Sequence, residues 1–116
     1  MLNKLSVSQK IYFILTIFIL LTITFLSLKP QTTVEGSLDT SWIRHILAYA
    51  VLTFCLFKTI KNKNISLIFA GAYGFVMEFL QGFVPTRVPS ISDGLINILG
   101  SFIILIFLQL TNKNVN

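Results

Sequence analysis

A chain of 116 residues that is 54% hydrophobic and only 11% charged is too apolar for a soluble domain of its size and points to lipid as its solvent. Its net charge of +5 would suit nucleic acid if Lys and Arg formed a patch, but they fall between apolar stretches, a pattern of membrane topology. Nucleic acid is therefore not expected as a partner, and the single cysteine, Cys55, excludes an intrachain disulfide and reads as a small buried hydrophobe.

The apolar residues form four stretches of roughly bilayer-spanning length, so the expected fold is all-α, a small transmembrane bundle of four spans in a single membrane domain covering residues 1–116. The first span is expected over residues 11–28, with Thr16, Thr22, Thr24 and Ser27 as its polar residues. Lys4 and Lys10 precede it as in a secretory signal, but the apolar run is long and Ser27-Leu28-Lys29-Pro30 offers no small-x-small cleavage site, so it is read as a retained helix.

A polar connection with Pro30, Glu35, Gly36 and Asp39 leads to a second span over residues 42–60, closed by Lys58, Lys61 and Lys63. The third span is expected over residues 65–84, and the two prolines of the following Pro85-Thr86-Arg87-Val88-Pro89 restrict that loop to a stiff turn holding Arg87. The fourth span is expected over residues 91–110 and leaves a short polar tail. Lys4, Lys10, Lys58, Lys61, Lys63 and Lys113 then lie on one side and only Lys29, Arg44 and Arg87 on the other, which predicts cytoplasmic termini and outward-facing 29–41 and 85–90 loops.

Antiparallel spans bring distant residues to one depth. At about 1.5 Å rise per residue, His45 and Tyr49, Glu78 and Gln81, and Asp93 and Asn97 all fall near the outer ends of the last three spans. Helical phase puts each pair on one face, together with Gly71 and Gly74 on the third span and Gly100 on the fourth, where small residues permit close backbone approach. A carboxylate inside a membrane helix costs about 2.5–3.5 kcal/mol at mid-depth on insertion scales, which makes Glu78 a candidate proton carrier, general acid or base, or charge partner for Arg87 or His45.

Plainer readings stand beside these. Glu78 and His45 are also suited to locking helices together, and Tyr49, Gln81 and Asn97 to interhelical hydrogen bonding. Ser90 and Asp93 match the S-x-x-D spacing of a helix-start capping box, and Arg44 is suited to snorkelling at the interface. His45, Glu78 and Asp93 offer a conceivable ligand set, but with one His and one Cys in the chain the expectation is no metal and no other cofactor. No phosphate loop, zinc-protease pattern or nucleophile elbow is present.

From Trp42 to Leu110 the chain resembles the VanZ-like family of bacterial membrane proteins. His45 and Tyr49 fit an H-x-x-x-[YF] pattern, Glu78, Gln81, Pro85 and Arg87 fit E-x-x-Q followed by P-x-R, and Asp93, Asn97 and Gly100 fit D-x-x-x-N-x-x-G. The chain departs where members often carry an Asp-Lys pair before the His, having Ser41 and Trp42 there. The resemblance implies an envelope protein linked to lipoglycopeptide resistance, with no reaction attached. On this reading Arg87 contacts an anionic group of a lipid-linked or peptidoglycan-associated ligand, Gln81, Tyr49 and Asn97 line its pocket, and Glu78, His45 and Asp93 supply acid/base capacity if chemistry occurs. A non-enzymatic structural or interaction module is the alternative; a small proton-linked carrier is a further one, though no polar stripe crosses the full membrane.

Overall fold

Ser6 starts the first helix: its hydroxyl accepts the Gln9 N–H while the Gln9 side chain reaches back to the Ser6 N–H, a reciprocal capping box. The computed structural model describes residues 4–30, 41–85, 87 and 89–111, in which four helices follow one another: α1 (Val7–Leu28), α2 (Ser41–Ile60), α3 (Lys63–Gln81) and α4 (Ile91–Thr111). α1 stops at Leu28 because Lys29 precedes Pro30 and takes an extended conformation. Lys61, at φ 65°, turns the chain out of α2, and the Asn62 side chain caps α3 by accepting the Ile65 N–H. The all-helical expectation therefore holds among the described residues.

Two helix ends differ from expectation by three residues or more. α1 begins at Val7 because the capping box lies before the apolar run. α3 ends at Gln81, short of the expected 84, because residues 82–84 turn back on the last helical carbonyls, with Gly82 N–H bonded to Phe79 O and Val84 N–H to Gln81 O.

Side-chain contacts fix the directions of the helices. The Gln9 amide donates to Thr59 O, joining the start of α1 to the end of α2, and Lys63 Nζ donates to Gln109 Oε1, joining the start of α3 to the end of α4. At the opposite end Gln81 meets Ser27 and His45 meets Asn97. Neighbours in sequence are thus antiparallel, with α2 and α3 each packing on all three other helices and α1 and α4 on their flanks. Tyr73 links α3 to α1 by donating to Leu20 O and contacting the Thr24 hydroxyl.

The interior is narrow. Ile23, Tyr49, Leu52, Leu56, Ala70 and Met77 form its apolar cluster, and the fully buried Thr53 and Ser101 join α2 to α4 by a 2.7 Å hydrogen bond. Phe18, Phe25, Leu47, Ile68, Phe79 and Ile106 are among many large apolar side chains facing outward, an inside-out distribution for water and the usual one for lipid. α1, α2 and α4 are each long and apolar enough to cross a membrane. α3 is not among them, and it carries Lys63, Glu78 and Gln81.

Gly100 sets the approach of α4 to α2. A Cβ there would stand 2.5 Å from Ile46 O and 3.0 Å from Ile46 Cα, both backbone atoms that no rotamer change can move. Gly100→Ala is expected to force the helices apart at a cost of about 1–3 kcal/mol, read as a lower thermal midpoint in detergent; an unchanged midpoint would show that the contact gives way freely.

Candidate functional site

The start of α4 organises the site. Ser90 Oγ accepts the Asp93 N–H at 3.3 Å, which is half of the expected capping box. The other half is made by a different residue, because the Ser90 N–H donates to Glu78 Oε2 at 3.0 Å from the end of α3. Glu78 thereby caps a neighbouring helix, and the Asp93 carboxylate is left to face α2.

There it meets His45, whose Nε2 lies 4.0 Å from Asp93 Oδ2, too far for a hydrogen bond. The other ring nitrogen, Nδ1, is 2.9 Å from Asn97 Oδ1. A carbonyl oxygen only accepts, so Nδ1–H is the donor to Asn97 and Nε2 is the ring nitrogen that faces Asp93. Asn97 is 1% exposed and Glu78 5%, and one ligand atom from each of His45, Glu78 and Asp93 can be chosen so that all lie within 4.8 Å of one another. Gly74 makes room for this arrangement: a Cβ there would stand 3.0 Å from Asn97 Nδ2 and 3.3 Å from Tyr49 Cε1.

Beside this cluster lies a cavity of about 370 Å³, walled by the ends of α1 and α2 with Gln81 and Arg87. Lys29, Arg44, His45 and Arg87 line it, and no carboxylate does so among the described residues. Tyr49 also lines it and is 2% exposed, and its hydroxyl is buried without a hydrogen-bond partner among the described residues. An unpaired buried hydroxyl costs about 1–3 kcal/mol, so a side-chain movement that brought it to the cavity would let it donate to an acceptor there.

The expected site residues do converge at one end of the bundle, but they divide into two groups. His45, Glu78, Asp93 and Asn97 form the cluster; Tyr49, Gln81 and Arg87 line the cavity, and His45 belongs to both. Arg87 departs from its expected place beside the carboxylates. Its Nε donates to Lys29 O at 2.9 Å and its Nη2 to Leu26 O at 2.6 Å, so it caps the carbonyl end of α1. Gln81 likewise donates to Ser27 O at 3.1 Å. The first helix, with only Thr16, Thr22, Thr24 and Ser27 as polar residues over 11–28, joins the site through backbone carbonyls, which composition does not display. Lys29 and Arg44 were assigned to the same side by charge counting and could have been found from it; Arg44, expected to snorkel, is exposed and lines the cavity. Glu35, Gly36, Asp39, Thr86, Val88 and Lys113, invoked for loops and topology, lie outside the described residues.

Family models, curated proteins and solved structures give no match to the chain. Fold and site define the chain as an all-helical protein with three helices able to cross a membrane and an ionisable cluster at one end of the bundle.

Proposed function

We propose that this is a multi-pass membrane protein of the bacterial cell envelope, VanZ-like in its site residues, whose cavity binds the anionic group of a lipid-linked or peptidoglycan-associated ligand. α3 is taken as a fourth span: its outer face exposes Ile65, Ile68, Phe69, Val76 and Phe79, and its polar residues Glu78 and Gln81 turn inward. The Lys and Arg distribution favours cytoplasmic termini, placing the cavity on the outer side of the cell membrane, where a link to lipoglycopeptide resistance would act.

One observation carries the ligand class: a cavity lined by Lys29, Arg44, His45 and Arg87, with Tyr49, whose buried hydroxyl has no partner among the described residues, beside them. A phosphate or carboxylate supplies the negative charge that the described walls lack. The ties of Arg87 and Gln81 to α1 carbonyls favour a second reading, in which these contacts hold the bundle together as a structural or interaction module.

Tyr49→Phe separates the two. In nanodiscs of zwitterionic lipid the wild-type protein is expected to bind a polyprenyl phosphate and to ignore the neutral polyprenol. The variant loses a hydrogen bond to a charged group, so binding should weaken about tenfold or more while the ligand-free thermal midpoint stays level or rises, an unsatisfied hydroxyl having been removed. Equal binding of phosphate and alcohol, or an unaffected Tyr49→Phe, would leave the structural module in place. Phosphatidylglycerol nanodiscs form a third arm, since competition by that lipid would point to any anionic headgroup and against a lipid-linked precursor.

A further inference from the structure

We propose that His45, Glu78 and Asp93 form a binding site for one divalent transition-metal ion between α2, α3 and α4, with Asn97 as a positioning residue. The site is distinct from anion binding in the cavity and requires no ligand there.

Three features of the cluster point to an ion. With the ring neutral, the facing atoms are all acceptors: a carboxylate oxygen from each of Glu78 and Asp93, and the Nε2 lone pair of the His45 tautomer whose Nδ1–H donates to Asn97. Acceptors that face one another with no donor between them repel, and a shared cation relieves that repulsion. Secondly, neither carboxylate has a Lys or Arg nitrogen within 4.0 Å among the described residues, because Arg87 is spent on the carbonyls of Lys29 and Leu26. Glu78 is 5% exposed, and among the described residues its carboxylate accepts one hydrogen bond, from Ser90 N–H; a buried carboxylate with so little compensation calls for a cation.

The third feature is the Asn97 contact. A ligating imidazole donates its far N–H to a fixed acceptor, which sets its tautomer and aims the other nitrogen at the metal, and Asn97, itself 1% exposed, does this to His45.

The spacing is close to what an ion needs. Ligands at about 2.0–2.2 Å from a tetrahedral ion stand roughly 3.3–3.6 Å apart, so separations of 4.0 Å for His45 to Asp93 and up to 4.8 Å over the three close by about an ångström through side-chain torsion alone. One imidazole with two carboxylates suits Zn²⁺ or Mn²⁺ better than Ca²⁺ or Mg²⁺, which favour all-oxygen sets, or Cu⁺, which favours sulfur. Three protein ligands leave a coordination position open, and His45 also lines the cavity.

The chain has a single histidine, which makes the test specific. Tag-free protein, stripped with chelator in detergent, is titrated with Mn²⁺ alone and with Zn²⁺ alone. One ion per chain is expected at micromolar or tighter affinity, with a rise in thermal midpoint, and the electron spin echo of bound Mn²⁺ should show coupling to an imidazole nitrogen that can only be His45. Glu78→Gln and Asp93→Asn should each weaken binding at least tenfold. Asn97→Ala should weaken it about 10- to 100-fold and reduce the nitrogen coupling, whereas Cys55→Ala should bind as wild type. Failure of the wild type to bind either ion, absence of nitrogen coupling, or wild-type affinity in Glu78→Gln would overturn the site. The spectroscopy needs only wild-type protein, so a variant that fails to fold leaves the test intact.

Discussion

Arg87→Lys is expected to lose most ligand binding and to loosen α1 from the rest of the bundle. Two nitrogens of the guanidinium, set apart by its planar fork, reach carbonyls three residues apart on the last turn and cap of α1. A lysine keeps the charge but concentrates its donors on one nitrogen, which cannot span Leu26 O and Lys29 O in the same way. Hydrogen bonds from a charged donor contribute about 1.5–3 kcal/mol when well shielded; Arg87 is only half-buried, so a combined loss near the low end of that range is expected. The functional loss should be larger, because Lys29 and Arg87 both line the cavity and the Arg87 contact fixes the backbone from which Lys29 extends. Binding of polyprenyl phosphate and thermal unfolding, measured on the same preparation, check both parts. Wild-type binding in Arg87→Lys would show that the cavity needs only a positive charge there.

The parts of the fold that depend on local pattern were legible in the sequence. Four apolar stretches gave four helices, with the Lys29-Pro30 end of α1 and the Ser90 start of α4 where expected; the Ser6–Gln9 box and the Asn62 cap start α1 and α3 ahead of their apolar runs, which hydropathy alone does not show. The convergence of His45, Glu78, Asp93 and Asn97 was legible too, since antiparallel direction and helical phase suffice to put them at one depth on facing surfaces. Partner choice within that set was not. The spacing of Ser90 and Asp93 describes a local capping box, but it cannot show that Glu78, twelve residues earlier, takes the Ser90 N–H and releases Asp93 toward His45. For Arg87 the nearest opposite charges in sequence were the natural partners, yet the unpaired carbonyls at the end of α1 lie within its reach, and a helix terminus always offers such acceptors.

Glu78 provides the other large effect, and the outcome depends on which atom is replaced. Its carboxylate accepts the Ser90 N–H and also faces His45 and Asp93. Glu78→Gln retains an amide oxygen for Ser90, so α4 keeps its cap and the protein should accumulate in the membrane at the wild-type level, within about 1 kcal/mol of wild-type stability. Glu78→Leu removes the acceptor and leaves the Ser90 N–H without a partner at a helix start, at a cost of about 1–3 kcal/mol, and should accumulate poorly. Activity should fall at least tenfold in both variants in a lipoglycopeptide-susceptibility assay corrected for protein level, because both lack the charge. The pair thus separates the hydrogen bond, which holds α3 to α4, from the charge, which has no Lys or Arg nitrogen within 4.0 Å among the described residues. If Glu78→Gln disappears from the membrane as completely as Glu78→Leu, the charge itself stabilises the fold. Full activity in Glu78→Gln would confine Glu78 to capping α4.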